Sequence, residues 1–209
     1  LVSQDPDIIM VGEIRDNETA ALAINASRTG HLVLSTLHTN SAAGAIPRLI
    51  DMQAEPFLIA STVSVVIGQR LVRKLTDQKE KYFLSSAEQK TLAESVDLER
   101  VLHFLKEEKI VDPKADWDKI SFWRPKVAGV AAGAEVVPGG DDGFSGRVGI
   151  YEVFKMSAAI KELVMQGKTD KDIEAQAKKE GMLTMIEDGI FKAVQGFTTI
   201  EEVLRVVSE

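Results

Sequence analysis

The sequence of 209 residues contains no cysteine, which excludes disulfides and thiolate metal ligands and fits a reducing compartment. Basic residues are too few for a nucleic-acid binder: 25 Lys and Arg stand against 32 Asp and Glu, a net charge of −7. Such a chain offers no basic face to displace counterions, so nucleic acid is not an expected partner. No apolar run approaches the roughly 20 residues that span a bilayer, and the N-terminus has no basic flank leading into a signal-type apolar stretch. Any membrane role is therefore expected to be peripheral. What is present, 44% hydrophobic residues, suffices for a buried core in one domain or two small ones. The chain opens at Leu1 in what reads as the approach to a strand, so a further upstream part is expected.

The first third reads as one turn of an α/β sheet. The apolar run Ile8-Ile9-Met10-Val11, bounded by Asp5-Pro6-Asp7 and Gly12, has the pattern of a strand buried on both faces of a parallel sheet. An Ala-rich helix is predicted over 17–28, ended by Gly30 at a C-cap-like position, and a second strand over 31–36. A helix over 41–51 carries Pro47, which should kink it, and an apolar helix follows over 56–67. Residues 68–74 read as a short strand. From Asp77 to Gly143 the character changes to a charged segment with a helical stretch around 87–109 and a Pro/Gly-rich end at 138–143, as expected of an inserted subdomain. A strand over 147–154 and three or four helices complete the chain, with Ser157, Thr169 and Thr199 as N-caps and Glu202 at capping-box spacing from Thr199.

Two segments carry candidate chemistry. The first strand places Glu13 at its carboxyl end, where open α/β sheets bind ligands. There a carboxylate can orient a water against a phosphate, while Gly12 lets backbone approach closely. Taken alone, the pattern more often describes a strand running into a solvated turn. In the second segment, Thr29-Gly30-His31-Leu32-Val33-Leu34-Ser35-Thr36-Leu37-His38-Thr39-Asn40, His38 falls on the same sheet edge as Glu13, where an imidazole can donate to a phosphate oxygen. The plain alternative is a pair of histidines satisfying buried backbone groups. His31 and His38 sit too far apart along one strand to chelate a metal together.

With these residues on the page, DPDIIMVGEIRD followed by TGHLVLSTLHTN resembles the Walker B segment and histidine box of the type II secretion/type IV pilus ATPases. The likeness continues through Glu55–Ser61, Gly68–Leu75, Gly146–Val153 and the Gly181-Met182 region, about two-thirds of the chain. It implies an α/β fold: the C-terminal portion of a RecA-like P-loop ATPase domain over 1–76, an inserted subdomain over 77–143, and a return strand with a C-terminal helical region over 144–209. By the same likeness Glu13 is the water-activating glutamate, and Gly12, Arg15, His31 and His38 belong to the nucleotide site, with Asp16 closing the turn. ATP with Mg2+ is the implied cofactor, and the phosphate-binding loop is expected upstream of this sequence. The implied assembly is a cytoplasmic homo-hexamer, peripherally associated with the inner membrane through a platform protein.

Two departures stand out. Ser3 occupies a position where the family often has Arg. Family members also commonly hold zinc through four cysteines flanking Thr76–Lys79 and Pro138–Asp142; without cysteine, no zinc is expected, and the insert must be held by its own apolar contacts. Retraction ATPases pass almost directly from the Gln-Arg-Leu motif to the Gly-Arg-Val strand. Here about seventy residues intervene between Leu71 and Gly146, which points to pilus assembly or protein secretion. The alternatives are a retraction motor for the parent protein and, for the 209 residues alone, a non-catalytic assembly or binding module.

Overall fold

A computed structural model describes residues 6–126 and 142–208; Ser3, Asp5 and the 138–141 part of the Pro/Gly-rich passage lie outside the described residues. The chain divides into two compact units, Leu1–Gly68 with Glu152–Met182, and Gln69–Tyr151 with Leu183–Glu209.

In the first unit, β1 (Ile8–Val11) and β2 (Leu32–Ser35) flank α1 (Asn17–Arg28). The strands pair in parallel from Ile8↔Leu32 to Val11↔Ser35. Asp16 starts α1 by accepting the Thr19 N–H at 2.8 Å, a side-chain cap for an otherwise orphan amide. At the other end Gly30 takes a φ of +92°, open to glycine at little cost. The strand pattern suggested burial on both faces, but only one is covered. Ile9 is buried, whereas Ile8 and Met10 are 54% and 80% exposed and share an open apolar face with Leu32 and Leu34. A four-residue apolar run cannot say how many layers cover a strand; among the described residues the sheet has two strands, with α1 packed on them.

The next elements correct two expectations. The helix α2 (Ala45–Asp51) begins at Ala45, so Pro47 lies in the first turn, where its missing N–H removes no helical bond and no kink arises. The helix α3 (Pro56–Thr62) stops at Thr62, and Val63 is extended. The β-branched run Val65-Val66-Ile67 instead opens the long strand β3 (Val65–Leu75), in keeping with the stiffness of such residues in helices and their fit to pleated sheet. β3 pairs with β6 (Phe144–Lys155). The helices α6 (Ala158–Met165) and α7 (Asp170–Lys179) follow, α6 packing on both α3 and α7. Ile46, Ile59, Ile160 and Ile173 are almost wholly buried in this core, each contributing about 1.5–3 kcal/mol.

The described parts of the expected insert lie in the second unit. β4 (Lys79–Phe83) pairs antiparallel with β5 (Ser121–Pro125), from Lys79↔Pro125 to Phe83↔Ser121, a pairing the sequence pattern did not disclose. The helical stretch near 87–109 is two helices, α4 (Ser86–Ser95) and α5 (Leu98–Glu107), broken where Asp97 accepts the Arg100 N–H at 3.0 Å. Val101, Leu105 and Phe122 form the centre of this core, together with Ile190 of α8 (Met185–Val194) and Ile200 of α9 (Ile200–Ser208). Phe122 stacks on Trp117 at 6.3 Å. The α8 helix starts at a Thr184–Glu187 capping box.

Polar clamps reinforce these apolar contacts. The buried Glu202 carboxylate accepts from Arg73 Nε at 3.1 Å and from Arg205 at 2.6 Å. Arg73 also reaches Asp142 at 2.7 Å and lies over the Phe144 ring. Arg100 pairs with the buried Glu187 at 2.9 Å. Trp123 packs on Gly196 and donates to Val194 O at 3.3 Å. Among the described residues no helix is long and apolar enough to cross a membrane.

Candidate active site

The site grows out of the paired ends of β1 and β2. Just beyond β1, the Ile14 N–H donates to Thr36 O at 2.9 Å, and the Thr36 hydroxyl donates to Gly12 O at 2.7 Å. These two bonds clasp the exits of the strands together. Ile14 and Leu37 pack against the core of the first unit, and that inward pair fixes the backbone from which their neighbours Glu13 and His38 project.

Glu13 and His38 meet there: His38 Nε2 reaches Glu13 Oε1, and Arg15 reaches Glu13 Oε2 at 2.5 Å. The Glu13 side chain is 21% exposed, against 76% for Arg15 and 85% for His38. The carboxylate is thus sheltered beneath a solvated guanidinium and a solvated imidazole. The Arg15 hydrogen bond holds the Glu13 carboxyl below the usual carboxylate range; desolvation pushes it up, while the charge of Arg15 and a smaller contribution from His38 oppose that. Glu13 is therefore kept ionised. Its Oε1 is buried beneath the His38 ring, with Nε2 against it. A Cβ built on Gly12 would meet nothing within 4 Å, so there is room beside the carboxylate. An ionised, sheltered carboxylate, each of whose oxygens has more than one lone pair, is suited to orienting a water.

Of the residues singled out in the sequence, Gly12, Glu13, Arg15 and His38 come together and His31 does not. His31 lies at the start of β2, the end of the sheet away from Glu13. Its Nδ1 sits 2.9 Å from Thr29 Oγ1 and 3.1 Å from Ala26 O, where it closes the C-terminus of α1. Asp16 is engaged in capping α1.

Two residues were missed. Thr36 carries no motif signal beyond a hydroxyl at a strand end. Glu152 is buried and its carboxylate accepts the Ala42 N–H in the loop after His38. Its signal was parity: Ile150, Glu152 and Phe154 share the inward face of β6, so an acid fell on a core position.

The family model described as "Type II/IV secretion system protein" matches residues 1–205. Type II secretion system protein E of Xanthomonas campestris pv. campestris is 43% identical over 209 residues, covering 100% of this chain and 32% of that protein. The type IV pilus assembly ATPase PilB of Pseudomonas aeruginosa is 40% identical over 210 residues, covering 99% of this chain and 32% of that protein. The chain thus spans about a third of the length of these relatives. Among solved structures, the ATPase DotB of Legionella pneumophila matches with a TM-score of 0.56 at 19% identity, covering 99% of this chain and 40% of that one. The pilus retraction motor PilT, solved with bound ADP, matches with a TM-score of 0.55 at 23% identity, covering 97% and 40%. At those identities the likeness concerns the fold, which is that of the RecA-like ATPases. The chain belongs to the type II/IV secretion system protein family.

Proposed function

We propose that this chain is the water-activating part of an ATP-hydrolysing motor that powers type II protein secretion or type IV pilus assembly. The observation that carries the reading is the ionised, sheltered Glu13 carboxylate at the end of β1, with His38 against it and open space at Gly12. In this reading Glu13 orients the attacking water and takes its proton, and His38, freed from Glu13, donates to a phosphate oxygen. Arg15 keeps the carboxylate ionised until then. Phosphoryl transfer asks a protein mainly for such positioning and charge. ATP with Mg2+ supplies the phosphoryl group and neutralises its charge. The residues present fit one side of that site, and no GxxxxGK[ST] phosphate-binding motif occurs in the 209 residues.

The relatives near 40% identity carry names of secretion and pilus-assembly proteins, which favours that direction of work over retraction. We further infer a homo-hexamer acting in the cytoplasm against an inner-membrane platform protein. Zinc is left out of the reading. There is no cysteine, and no three His, Asp or Glu side chains among the described residues form a metal cluster. Nucleotide hydrolysis is thus a property of a longer protein containing this chain, while the 209 residues alone serve as a binding and assembly module for lack of the phosphate loop. Phosphate release tests both halves. The longer protein should turn over ATP only with Mg2+ and the isolated chain should not. Turnover by the isolated chain would remove the module reading, and none by the longer protein would remove the motor.

A further inference from the structure

Glu152 is a buried titratable group that the reading above leaves idle, in a motif, Gly146–Val153, that the sequence singled out without assigning it work. Burying a carboxyl group is unfavourable unless hydrogen bonds compensate it. Here the carboxylate accepts the N–H of Ala42, a backbone donor in the irregular loop between β2 and α2. That loop carries His38. Thr39 Oγ1 donates to Ser41 O at 2.8 Å and Ser41 Oγ accepts the Gly44 N–H at 3.1 Å, so the segment is a compact turn. Ala42 and Ala43 are sunk in the core with Phe154 and Met156, which lie at and just beyond the end of β6. The turn therefore has an apolar anchor and a hydrogen-bonded one, both on or next to the same strand.

We infer that Glu152 is a positioning residue for the site: by holding Ala42 it fixes the turn that sets His38 against Glu13. This rests on the reading of Glu13 and His38 as facing nucleotide. Glu152 also stands where β6 enters the first unit, the strand's earlier residues belonging to the second. The turn bearing His38 is thus bonded to a strand that continues covalently into the second unit.

The test uses two variants in the longer ATPase containing this chain. Glu152→Gln keeps an acceptor oxygen of the same shape and folds most readily; Glu152→Ala removes the acceptor. Hydrogen exchange of the 38–46 segment is read beside α6 and α7, and ATP turnover is separated into kcat and KM. Glu152→Ala should speed exchange at 38–44 and lower kcat by on the order of 10²-fold, as for a small misplacement of a reacting group, with KM for ATP held within about twofold. Glu152→Gln should recover roughly a third or more of the lost kcat, since its amide oxygen can still accept the Ala42 N–H. Faster exchange at 38–44 with unchanged kcat would overturn the inference, and so would exchange that rises equally in α6 and α7, which would assign Glu152 to the core. Full turnover in Glu13→Gln would instead remove the underlying site reading, so the two failures are distinguishable.

Discussion

Replacing Glu202 by Gln tests the ion-pair clamp of the second unit. The Glu202 side chain is 2% exposed, but its partners Arg73 and Arg205 are 45% and 49% exposed. Burial pushes the Glu202 carboxyl up, yet hydrogen bonds from Arg205 and Arg73 outweigh it and bring it down to about 2. Each pKa unit corresponds to about 1.4 kcal/mol, so a fall from an ordinary value near 4.3 sets an upper bound of roughly 3 kcal/mol. Solvent at the two half-exposed guanidinium groups screens that, leaving about 1.5–2 kcal/mol, or about 4–8 °C in Tm for a chain of this size. The sign follows from the depression. The stabilisation is fully present above the unfolded value and is lost as pH falls through about 4 toward 2. Both tryptophans, Trp117 and Trp123, lie in this unit, so urea unfolding followed by their fluorescence reports on it directly. The difference between wild type and Glu202→Gln should be about 1.5–2 kcal/mol near neutrality and shrink toward zero below about pH 3. A difference under about 0.5 kcal/mol at neutrality, or one that does not change with acidification, would refute the reasoning.

Other outcomes follow from single contacts. Gly196→Ala should destabilise by about 1–3 kcal/mol, because its φ is +80° and a Cβ would lie 2.9 Å from Trp123 Nε1; calorimetry measures the loss, and a red-shifted tryptophan emission would report the displaced indole. His31→Ala should change ATP turnover of the longer protein less than about threefold and fray α1 at a cost of about 1 kcal/mol, whereas His38→Ala should lower turnover at least tenfold. Equal kinetic loss in both variants would place His31 at the site.

The first unit was the more legible half because its signals are local. The run ending in Glu13, the Ala-rich helix with Gly30 behind it, and the caps at Ser157 and Thr169 each declare themselves within a few residues, and all form as expected. The failures were of three kinds. Pro47 and the 63–67 run depended on where a helix begins or ends, which tertiary packing decided. The β4–β5 pairing joins Lys79 to Pro125 across the sequence, and both strands carry charges that blur alternation. The Glu202 carboxylate, spaced for a capping box with Thr199, turned to Arg73 and Arg205 instead, a choice set by a residue far away in sequence. At the site, Glu13 and His38 were visible as strand-end residues. The clasp by Thr36 and the hold of Glu152 on Ala42 were not, because each joins segments far apart in sequence.

The central claim is that Glu13 activates water. Single-turnover hydrolysis of pre-bound ATP by the longer protein carrying Glu13→Gln, with nucleotide affinity measured in parallel, tests it most directly. Hydrolysis should fall by about 10²–10⁴-fold with ATP affinity nearly unchanged, the loss expected of a general base; hydrolysis at the wild-type rate would contradict the assignment.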